Sequence, residues 1–176
     1  MKRFLQNIFK LRKDVGLGFY VADFFFRKIL RQNADTSWAV HYTSTIAVPG
    51  KIERGVNVFP GDSPGNFIDA SNGIVIGDYT NIGPNVGIMS INHNKIDNTK
   101  YEPAPPIVIG KFCWIGMNAV ILPGVVLGDF TIVGAGAVVT KSFTEGYQTI
   151  AGNPATIINQ LDKNECSQFS SIKYGS

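Results

Sequence analysis

Aliphatic residues recur at every sixth position over much of this chain. Stepping by six from Ile76 gives Ile82 and Ile88, a second run starts at Ile109, and backward extension of the first run reaches Ile46. A period of six fits extended segments, in which side chains alternate, and does not fit the 3.6-residue period of a helix. Twelve of the fourteen positions are Ile, Leu or Val; the full set is Ile46, Ile52, Val58, Pro64, Ala70, Ile76, Ile82, Ile88, Ile109, Ile115, Ile121, Leu127, Val133 and Val139.

The positions between these aliphatic residues carry turn formers and small side chains. Glycine often follows the aliphatic residue, and a small or β-branched residue often lies four positions after it, as Thr80, Val86, Cys113, Ala119, Val125, Thr131 and Ala137 do. Such units predict short strands joined by tight turns, three to a triangular coil of roughly 18 residues. The expected fold is a parallel β-helix of the all-β solenoid class, whose hand the periodicity does not fix.

One loop is expected to leave the coil. The step from Ile88 to Ile109 is 21 residues, two hexapeptides plus nine residues, so the two runs share one register once nine residues are set aside. Placing Pro103 on the repeat leaves residues 94–102 as an extruded loop, with His93 at its base. Solenoids accept insertions as loops on one face, which is often the binding face.

The two ends differ from the repeats. Residues 2–12 and 19–32 combine Phe, Leu and Ile with basic residues and predict two amphipathic helices separated by a break at residues 16–18. We therefore divide the chain into a helical segment (1–35), a β-helix (36–155) and a polar, loosely packed tail (156–176). The helices are expected to cap the open end of the solenoid, with contact to a membrane surface through residues 1–32 as the alternative.

Charge is concentrated in the same N-terminal segment. Residues 1–31 hold eight basic and two acidic side chains, a net charge of +6, whereas the whole chain has +3. This asymmetry fits an anionic surface or partner, and equally an ordinary solvated helix face. The basic residues lie among apolar ones without a basic–aromatic groove pattern, so nucleic-acid binding is not predicted.

Cysteine use and the apolar run bear on location. Cys113 and Cys166 have no metal or redox spacing, which favours a reducing compartment. The apolar run 19–26 is interrupted by Asp23 and is too short for a membrane span or a signal peptide. We expect the protein in the cytoplasm, either free or attached to the inner face of the cytoplasmic membrane.

Four segments together resemble the hexapeptide-repeat acyltransferases. They are WIGMNAVILPGVVLGDFTIVGAGAVVTKSF (114–143) with AGNPA (151–155), and GDSPGNFIDASNGIVIG (61–77) with SINHN (90–94). The last pair is most similar to the surface-polysaccharide O-acetyltransferase branch, and the rest also to galactoside and maltose O-acetyltransferases. The resemblance covers roughly residues 46–155. It implies a left-handed β-helix, a homotrimer, and active sites between neighbouring subunits.

The resemblance implies a catalytic role for His93, because the family carries a histidine before its loop. An imidazole has a pKa near neutrality and suits a general base. The implied reaction is direct transfer of an acetyl group from acetyl-CoA to a sugar hydroxyl, without a metal.

The family's contacts also imply a coenzyme groove. Thr156 departs from the family's pattern, because relatives often carry Lys or Arg at this position. Recognition of the coenzyme's 3′-phosphate by residue 156 is therefore in doubt. Lys141 or a neighbouring subunit is the alternative. The implied residues are Trp114 lining the groove, Met117 and Ala135 bordering the pantetheine with their main chain, and Thr140 and Lys141 near the nucleotide end.

Other residues keep two interpretations. Asn66 and Asp69 match the acceptor-facing segment and are candidates for binding a sugar, with Asp69 also a candidate to orient an imidazole N–H; both also suit corner turns of the coil. Cys113 is expected in the core, and His41 is expected to act only locally.

The sequence bears on four other functions. A zinc-dependent activity known in some relatives needs three histidine ligands, and this chain has two histidines, so that activity is not favoured. An amino-sugar N-acyltransferase and a non-catalytic solenoid scaffold remain alternatives. Serine acetylation is less favoured, because the large N-terminal helical domain of serine acetyltransferases is absent.

Overall fold

A computed structural model of the protein describes residue 12 and residues 15–175. The first predicted helix, 2–12, therefore lies almost entirely outside the described residues. From Thr45 onward the chain winds into a left-handed parallel β-helix. This confirms the predicted fold class.

Three parallel sheets form the faces of the helix. Sheet A holds β1 (Thr45–Ala47), β3 (Phe67–Asp69), β6 (Gly87–Met89), β11 (Val120–Ile121) and β14 (Val138–Val139). Sheet B holds β2 (Ile52–Arg54), β4 (Ile74–Ile76), β9 (Ile107–Ile109) and β12 (Val126–Leu127). Sheet C holds β5 (Asn81–Ile82), β10 (Trp114–Ile115), β13 (Thr131–Val133), β15 (Gln148–Gly152) and, antiparallel to β15, β16 (Ala155–Gln160).

Aliphatic side chains stack in register along the inside of each sheet. In sheet A the column runs Ile46, Ile68, Ile88, Ile121 and Val139. Ile68, Ile88 and Ile121 are each 0% exposed. Burying side chains of this size removes about 1.5–3 kcal/mol each of unfavourable hydration, so these columns are the main source of stability.

The repeat has irregularities that the six-residue step misses. Ile68, not Pro64 or Ala70, holds the sheet A column between Ile46 and Ile88, and Pro64 is exposed. The predicted position at 64 is therefore wrong, whereas Ala70 is buried as predicted but follows β3 and lies outside its column. The coils from Ile46 to Ile68 and from Ile68 to Ile88 are each longer than three hexapeptides, and their combined excess equals one further hexapeptide. Because the excess is a whole hexapeptide, Ile46 and Ile88 remain a multiple of six apart, and backward extension by six still reaches Ile46.

Aromatic residues form a ladder at the corner between sheets B and C. Its rings are stacked at centroid distances of 5.4, 4.7 and 5.3 Å. Each residue has a positive φ, between 50° and 58°, a region that side-chain-bearing residues seldom adopt. The stacking and the hydrogen bonds of the coil hold this conformation; the residues of the aromatic ladder are Tyr79, Phe112, Phe130 and Tyr147.

The C-terminal segment is ordered, contrary to the expectation of a loosely packed tail. After β16, helix α2 (Lys163–Tyr174) begins at Asp162, whose carboxylate accepts hydrogen bonds from the backbone N–H groups of Asn164 and Glu165. Such a cap satisfies N–H groups that the first helical turn leaves free. At the other end, the Tyr174 ring stacks on Tyr79 at 3.9 Å, so the helix covers part of the aromatic ladder.

The second predicted N-terminal helix is present with shifted bounds. It consists of α1 (Leu17–Asp23) and a continuation with π-helical hydrogen bonding, Phe24–Ile29. The helix therefore begins inside the predicted break at residues 16–18. No helix among residues 15–175 is long and apolar enough to cross a membrane.

Candidate active site

The extruded loop is closed by two short antiparallel strands. β7 (Asn92–His93) pairs with β8 (Tyr101–Glu102), so that His93 lies opposite Tyr101. The predicted loop 94–102 is confirmed in place, although its last two residues are a strand. Pro103 is exposed and lies outside every column, because the chain steps directly from Ile88 in sheet A to the sheet B column at Ile109.

Polar side chains within the loop fix its shape. The Asn94 side-chain oxygen accepts hydrogen bonds from the backbone N–H groups of Ile96 and Asp97. The Asp97 carboxylate in turn accepts from the Thr99 hydroxyl and backbone and pairs with Lys100. These partners, the Thr99 hydroxyl first, hold the pKa of Asp97 below its usual value. The loop thus carries its own turn-forming hydrogen bonds.

The loop orients the imidazole of His93. Its Nδ1 lies 2.7 Å from the backbone oxygen of Asn98, and the ring packs on Tyr101 with centroids 4.7 Å apart. A carbonyl oxygen only accepts hydrogen bonds, so Nδ1 donates and carries the proton of the neutral ring. Nε2 consequently keeps its lone pair. His93 is exposed, which leaves this nitrogen accessible to a proton donor.

Free backbone donors occur at another corner, between sheets C and A. The N–H groups of Met117 and Ala135 donate to no acceptor among the described residues. Both residues are exposed and lie at the same corner of successive coils, where the Gly136 N–H donates to the Met117 carbonyl. A Cβ atom at Gly116 would lie 2.8 Å from the Ala135 nitrogen, so glycine is needed for these corners to stack closely.

The other predicted coenzyme contacts are exposed as well. Trp114 lies on the outer face of sheet C with 56% of its surface exposed, between Asn81 and Ile132 on the neighbouring strands. Thr140 and Lys141 follow β14 and are exposed, and the Lys141 ammonium lies 5.6 Å from the Phe143 ring centre. The structure leaves all three side chains free to contact a ligand.

The two predicted acceptor-binding residues differ in burial. Asn66 is 1% exposed and donates from its side-chain nitrogen to the Gly83 carbonyl, which contradicts the predicted contact with an acceptor. The amide instead joins two coils at a corner. Asp69 is partly exposed, and its carboxylate accepts from the backbone and hydroxyl of Ser71. Asp69 does not orient the imidazole Nδ1–H, because Asn98 accepts that proton.

The predicted residues lie on two edges of the triangular coil. His93 follows sheet A at the corner with sheet B, the corner that also carries Asp69, Thr140 and Lys141. Met117 and Ala135 lie at the opposite border of sheet A. Within one chain, the imidazole and the free amides are therefore on different edges.

A cavity near the N-terminal end of the solenoid lies apart from this site. The cavity, about 520 Å³, lies between Arg12, the early coils and Tyr174, and its lining does not include His93. Among the described residues, no group of three or more His, Cys, Asp or Glu side chains is arranged to hold a metal ion.

Two parts of the site could not be assigned from the sequence alone. Tyr101 and the Asn98 carbonyl meet His93 only because the loop folds back as a hairpin. The turn-forming Asn and Asp residues between His93 and Tyr101 were the available signal.

Cys113 is confirmed as a core residue and is not placed for catalysis. It is 2% exposed, its sulfur lies 3.3 Å from the Gly128 carbonyl, and burial raises the pKa of its thiol to about 12. His41 bonds through Nδ1 with the nearby Thr43 hydroxyl, as expected of a local role.

The difference in burial between Cys113 and Cys166 predicts the reactivity of the two thiols. The thiolate is the reactive form, and a raised pKa leaves little of it at pH 8, so folded protein should react with Ellman's reagent at Cys166 alone. Burial also raises the Cys166 pKa, but that side chain is partly exposed. We expect one equivalent of released thiolate from folded protein and two in denaturant. Rapid release of two from folded protein would contradict the placement of Cys113.

Comparisons with known proteins agree with the fold. Residues 106–141 match the family described as "Bacterial transferase hexapeptide (six repeats)". No curated protein matches the chain. Solved structures that share the fold include a galactoside acetyltransferase in complex with coenzyme A, which is 21% identical with a TM-score of 0.66, the match covering 94% of each chain.

Two further structures have different stated activities. A maltose O-acetyltransferase from Clostridium difficile 630 is 24% identical, with a TM-score of 0.63, and the match covers 92% of this chain and 87% of that one. AntD, an N-acyltransferase from Bacillus cereus in complex with dTDP and 3-hydroxybutyryl-CoA, is 19% identical, with a TM-score of 0.62 and coverage of 76% and 85%. At these identities the likeness establishes the shared fold.

Proposed function

We propose that this hexapeptide-repeat β-helix is an acetyl-CoA-dependent O-acetyltransferase that modifies a sugar hydroxyl in surface-polysaccharide biosynthesis. The observation that carries the proposal is the hydrogen bond from Nδ1 of His93 to the Asn98 carbonyl, at 2.7 Å. It fixes the tautomer whose free Nε2 a general base requires. A scaffold protein has no need of an exposed imidazole held in one tautomer by a self-bonded loop.

In the proposed reaction, His93 moves one proton in each direction. Nε2 takes the proton of the acceptor hydroxyl as its oxygen attacks the thioester carbonyl, which produces a tetrahedral intermediate. Collapse of that intermediate breaks the carbon–sulfur bond, and the imidazolium returns the proton to the departing thiolate of coenzyme A. Base catalysis of this kind contributes about 10²–10⁴-fold, and holding both substrates in place contributes further.

The free backbone amides of Met117 and Ala135 suit the pantetheine arm. Its amide carbonyls need donors, and these two N–H groups have no acceptor within the described part of the chain. Trp114 offers an exposed apolar ring to the same arm. Thr140 and Lys141 are assigned to the nucleotide end, where the Lys141 ammonium provides the ionic phosphate contact that the uncharged Thr156 lacks.

The placement of these groups on two edges supports a homotrimer with shared sites. One subunit's His93 edge would face the Met117–Ala135 edge of the next, so that each site receives its base and its amide donors from different chains. Threefold repetition of one such heterologous contact closes a ring.

N-acyl transfer is the second candidate. The specific observation in its favour is the likeness to AntD, an N-acyltransferase, over 76% of this chain. The same Nε2 would then accept a proton from the attacking amine. Asp69 is the remaining candidate for contact with either acceptor. It lies beside the base of the His93 loop, because the Ser90 N–H donates to the Asp69 carbonyl.

A thiol-release assay tests the function directly. Purified full-length protein is given acetyl-CoA and a panel of sugars, amino sugars and sugar nucleotides in buffer that contains EDTA. We expect coenzyme A release that depends on an acceptor hydroxyl, with the acetyl ester identified by mass spectrometry. Acetyl amide formation on amino sugars alone would select the N-acyl alternative. Absence of acetyl-CoA binding at millimolar concentration would favour the scaffold.

A cytoplasmic location is part of the proposal, because acetyl-CoA is a cytoplasmic metabolite and both cysteines are free thiols.

A further inference from the structure

The N-terminal helix buries a carboxylate and leaves a row of large apolar side chains exposed, unlike an ordinary surface helix. Asp23 is 5% exposed and points towards the solenoid, whereas large apolar side chains point outward. Surface helices of globular proteins usually bury the apolar stripe and expose the charges. The exposed apolar side chains therefore suit an apolar partner on the outer side of the helix.

A buried ion pair holds the helix in this orientation. The Asp23 carboxylate pairs with Arg27 at 2.7 Å and accepts the Val40 N–H at 3.0 Å. Arg27 also donates to the Thr36 carbonyl, at 2.8 Å. These contacts attach the helix to the residues that precede the first coil. Rotation of the apolar face inward would break both contacts and leave the buried Val40 N–H and Thr36 carbonyl without these partners, which is costly for buried polar groups.

The outward face is continuous and apolar. Its members follow the helical period, so they form one stripe about three turns long. Each is exposed over 38% to 63% of its surface; they are Leu17, Val21, Phe24, Phe25, Ile29 and Leu30. Contiguous apolar patches of this kind on soluble proteins mark contact sites for proteins or membranes.

Charge identifies the partner of this stripe. Lys28 and Arg31 are exposed at its C-terminal end, and residues 1–31 together carry a net charge of +6. The rest of the chain carries a net charge of −3, so the excess positive charge of the sequence is concentrated in this segment. An apolar stripe flanked by exposed cations complements an anionic lipid surface. The apolar side chains suit the acyl region, and the cations suit the headgroups.

We propose that this stripe, residues 17–31 with its flanking basic residues, docks the protein on an anionic membrane surface. The helix would lie in the headgroup region, with Phe24 and Phe25 in contact with the acyl chains and Lys28 and Arg31 in contact with phosphates. The solenoid would then stand above the membrane, attached through the bonds of Asp23 to Val40 and of Arg27 to Thr36. The inference is independent of the acyl-transfer chemistry.

Vesicle sedimentation of the full-length protein tests the docking. One set of vesicles is phosphatidylcholine alone, and the other is phosphatidylcholine with a minority of phosphatidylglycerol. We expect wild type to sediment with the anionic vesicles and the double variant Phe24→Ser/Phe25→Ser to bind about tenfold or more weakly, because most of the inserted apolar surface is lost. The double variant Lys28→Gln/Arg31→Gln should lose most of the preference for anionic lipid.

The matched control is Ile96→Ser, which removes an apolar side chain that is 97% exposed on the distant loop. It should sediment as wild type does. Thermal unfolding and acetyl transfer to a soluble acceptor should be unchanged in both double variants, which separates failure of docking from failure of the proposed function. Equal sedimentation of wild type and both variants overturns the proposal. A change of oligomeric state in the Phe variant, with wild-type lipid binding, would instead assign the stripe to a second copy of this chain.

Discussion

Replacing His93 with alanine is expected to lower kcat for acetyl transfer by about 10²–10⁴-fold, the usual contribution of a general base. The Nδ1–H of His93 bonds to the Asn98 carbonyl, so Nε2 is the nitrogen that accepts the acceptor's proton. Binding of acetyl-CoA should persist in the variant, because the amide donors at Met117 and Ala135 are backbone groups at another corner. The measurement is steady-state thiol release with the best acceptor of the panel, beside equilibrium binding of acetyl-CoA.

His41→Ala is the matched control, since His41 is the other histidine of the chain and contacts Thr43, Tyr42 and Phe19 rather than the His93 loop. It should retain wild-type kcat and KM within about twofold, as expected for a surface substitution away from the chemistry. Equal turnover by wild type and His93→Ala would remove His93 from the mechanism. A rise in KM with unchanged kcat would instead show that the imidazole binds the acceptor without moving its proton.

The sequence was sufficient to predict the β-helix and the position of its loop. Each aliphatic side chain of the repeat has one inward direction in an extended segment, so the period specifies the buried columns wherever the coils are regular. Ile109, Ile115, Leu127 and Val133 were all predicted and all lie within 1% of full burial. Where a coil is three hexapeptides long, as from Ile115 to Val133, the prediction needs no further information.

The irregular coils were beyond this reasoning. Between Ile46 and Ile88 each coil exceeds three hexapeptides, and the extra residues form corner turns that local pattern does not locate. Asn66 illustrates the consequence, because its apparent position on an acceptor-facing segment is a buried corner whose side chain bonds to the coil above. Only the three-dimensional register separates a corner asparagine from a surface one.

The aromatic ladder has a sequence signal, a bulky ring at a fixed distance after a column residue, that turn preferences do not identify. Tyr79, Phe112 and Phe130 each lie three residues after a column residue, in GDYT, GKFC and GDFT. Bulky residues at corners that require positive φ contradict ordinary turn preferences, so turn chemistry would not select them. Stacking across coils and contact with Tyr174 provide the compensating interactions, and these depend on register and on the C-terminal helix.

Ile121→Ala is expected to reduce the free energy of unfolding by about 2–5 kcal/mol, the usual cost of truncating a fully buried aliphatic side chain. Ile121 is 0% exposed and lies between Ile88 and Val139 in the sheet A column. A rigid coil allows little collapse around the missing atoms, because backbone pairing on both sides fixes the neighbouring strands. Urea denaturation at one fixed protein concentration measures the change, since any association would couple stability to concentration.

Ile172→Ala provides the comparison for this change, because Ile172 is 87% exposed on α2 and loses the same atoms without leaving a cavity. Its unfolding free energy should stay within about 0.5 kcal/mol of wild type. Should Ile121→Ala fail to accumulate as folded protein, Ile121→Val removes a single methylene and should cost about 0.5–1.5 kcal/mol. A loss at position 121 no larger than that at position 172 would mean that the inward column does not hold the coils together. The β-helix, and with it the placement of His93 on one edge and the free amides on another, would then need a different explanation.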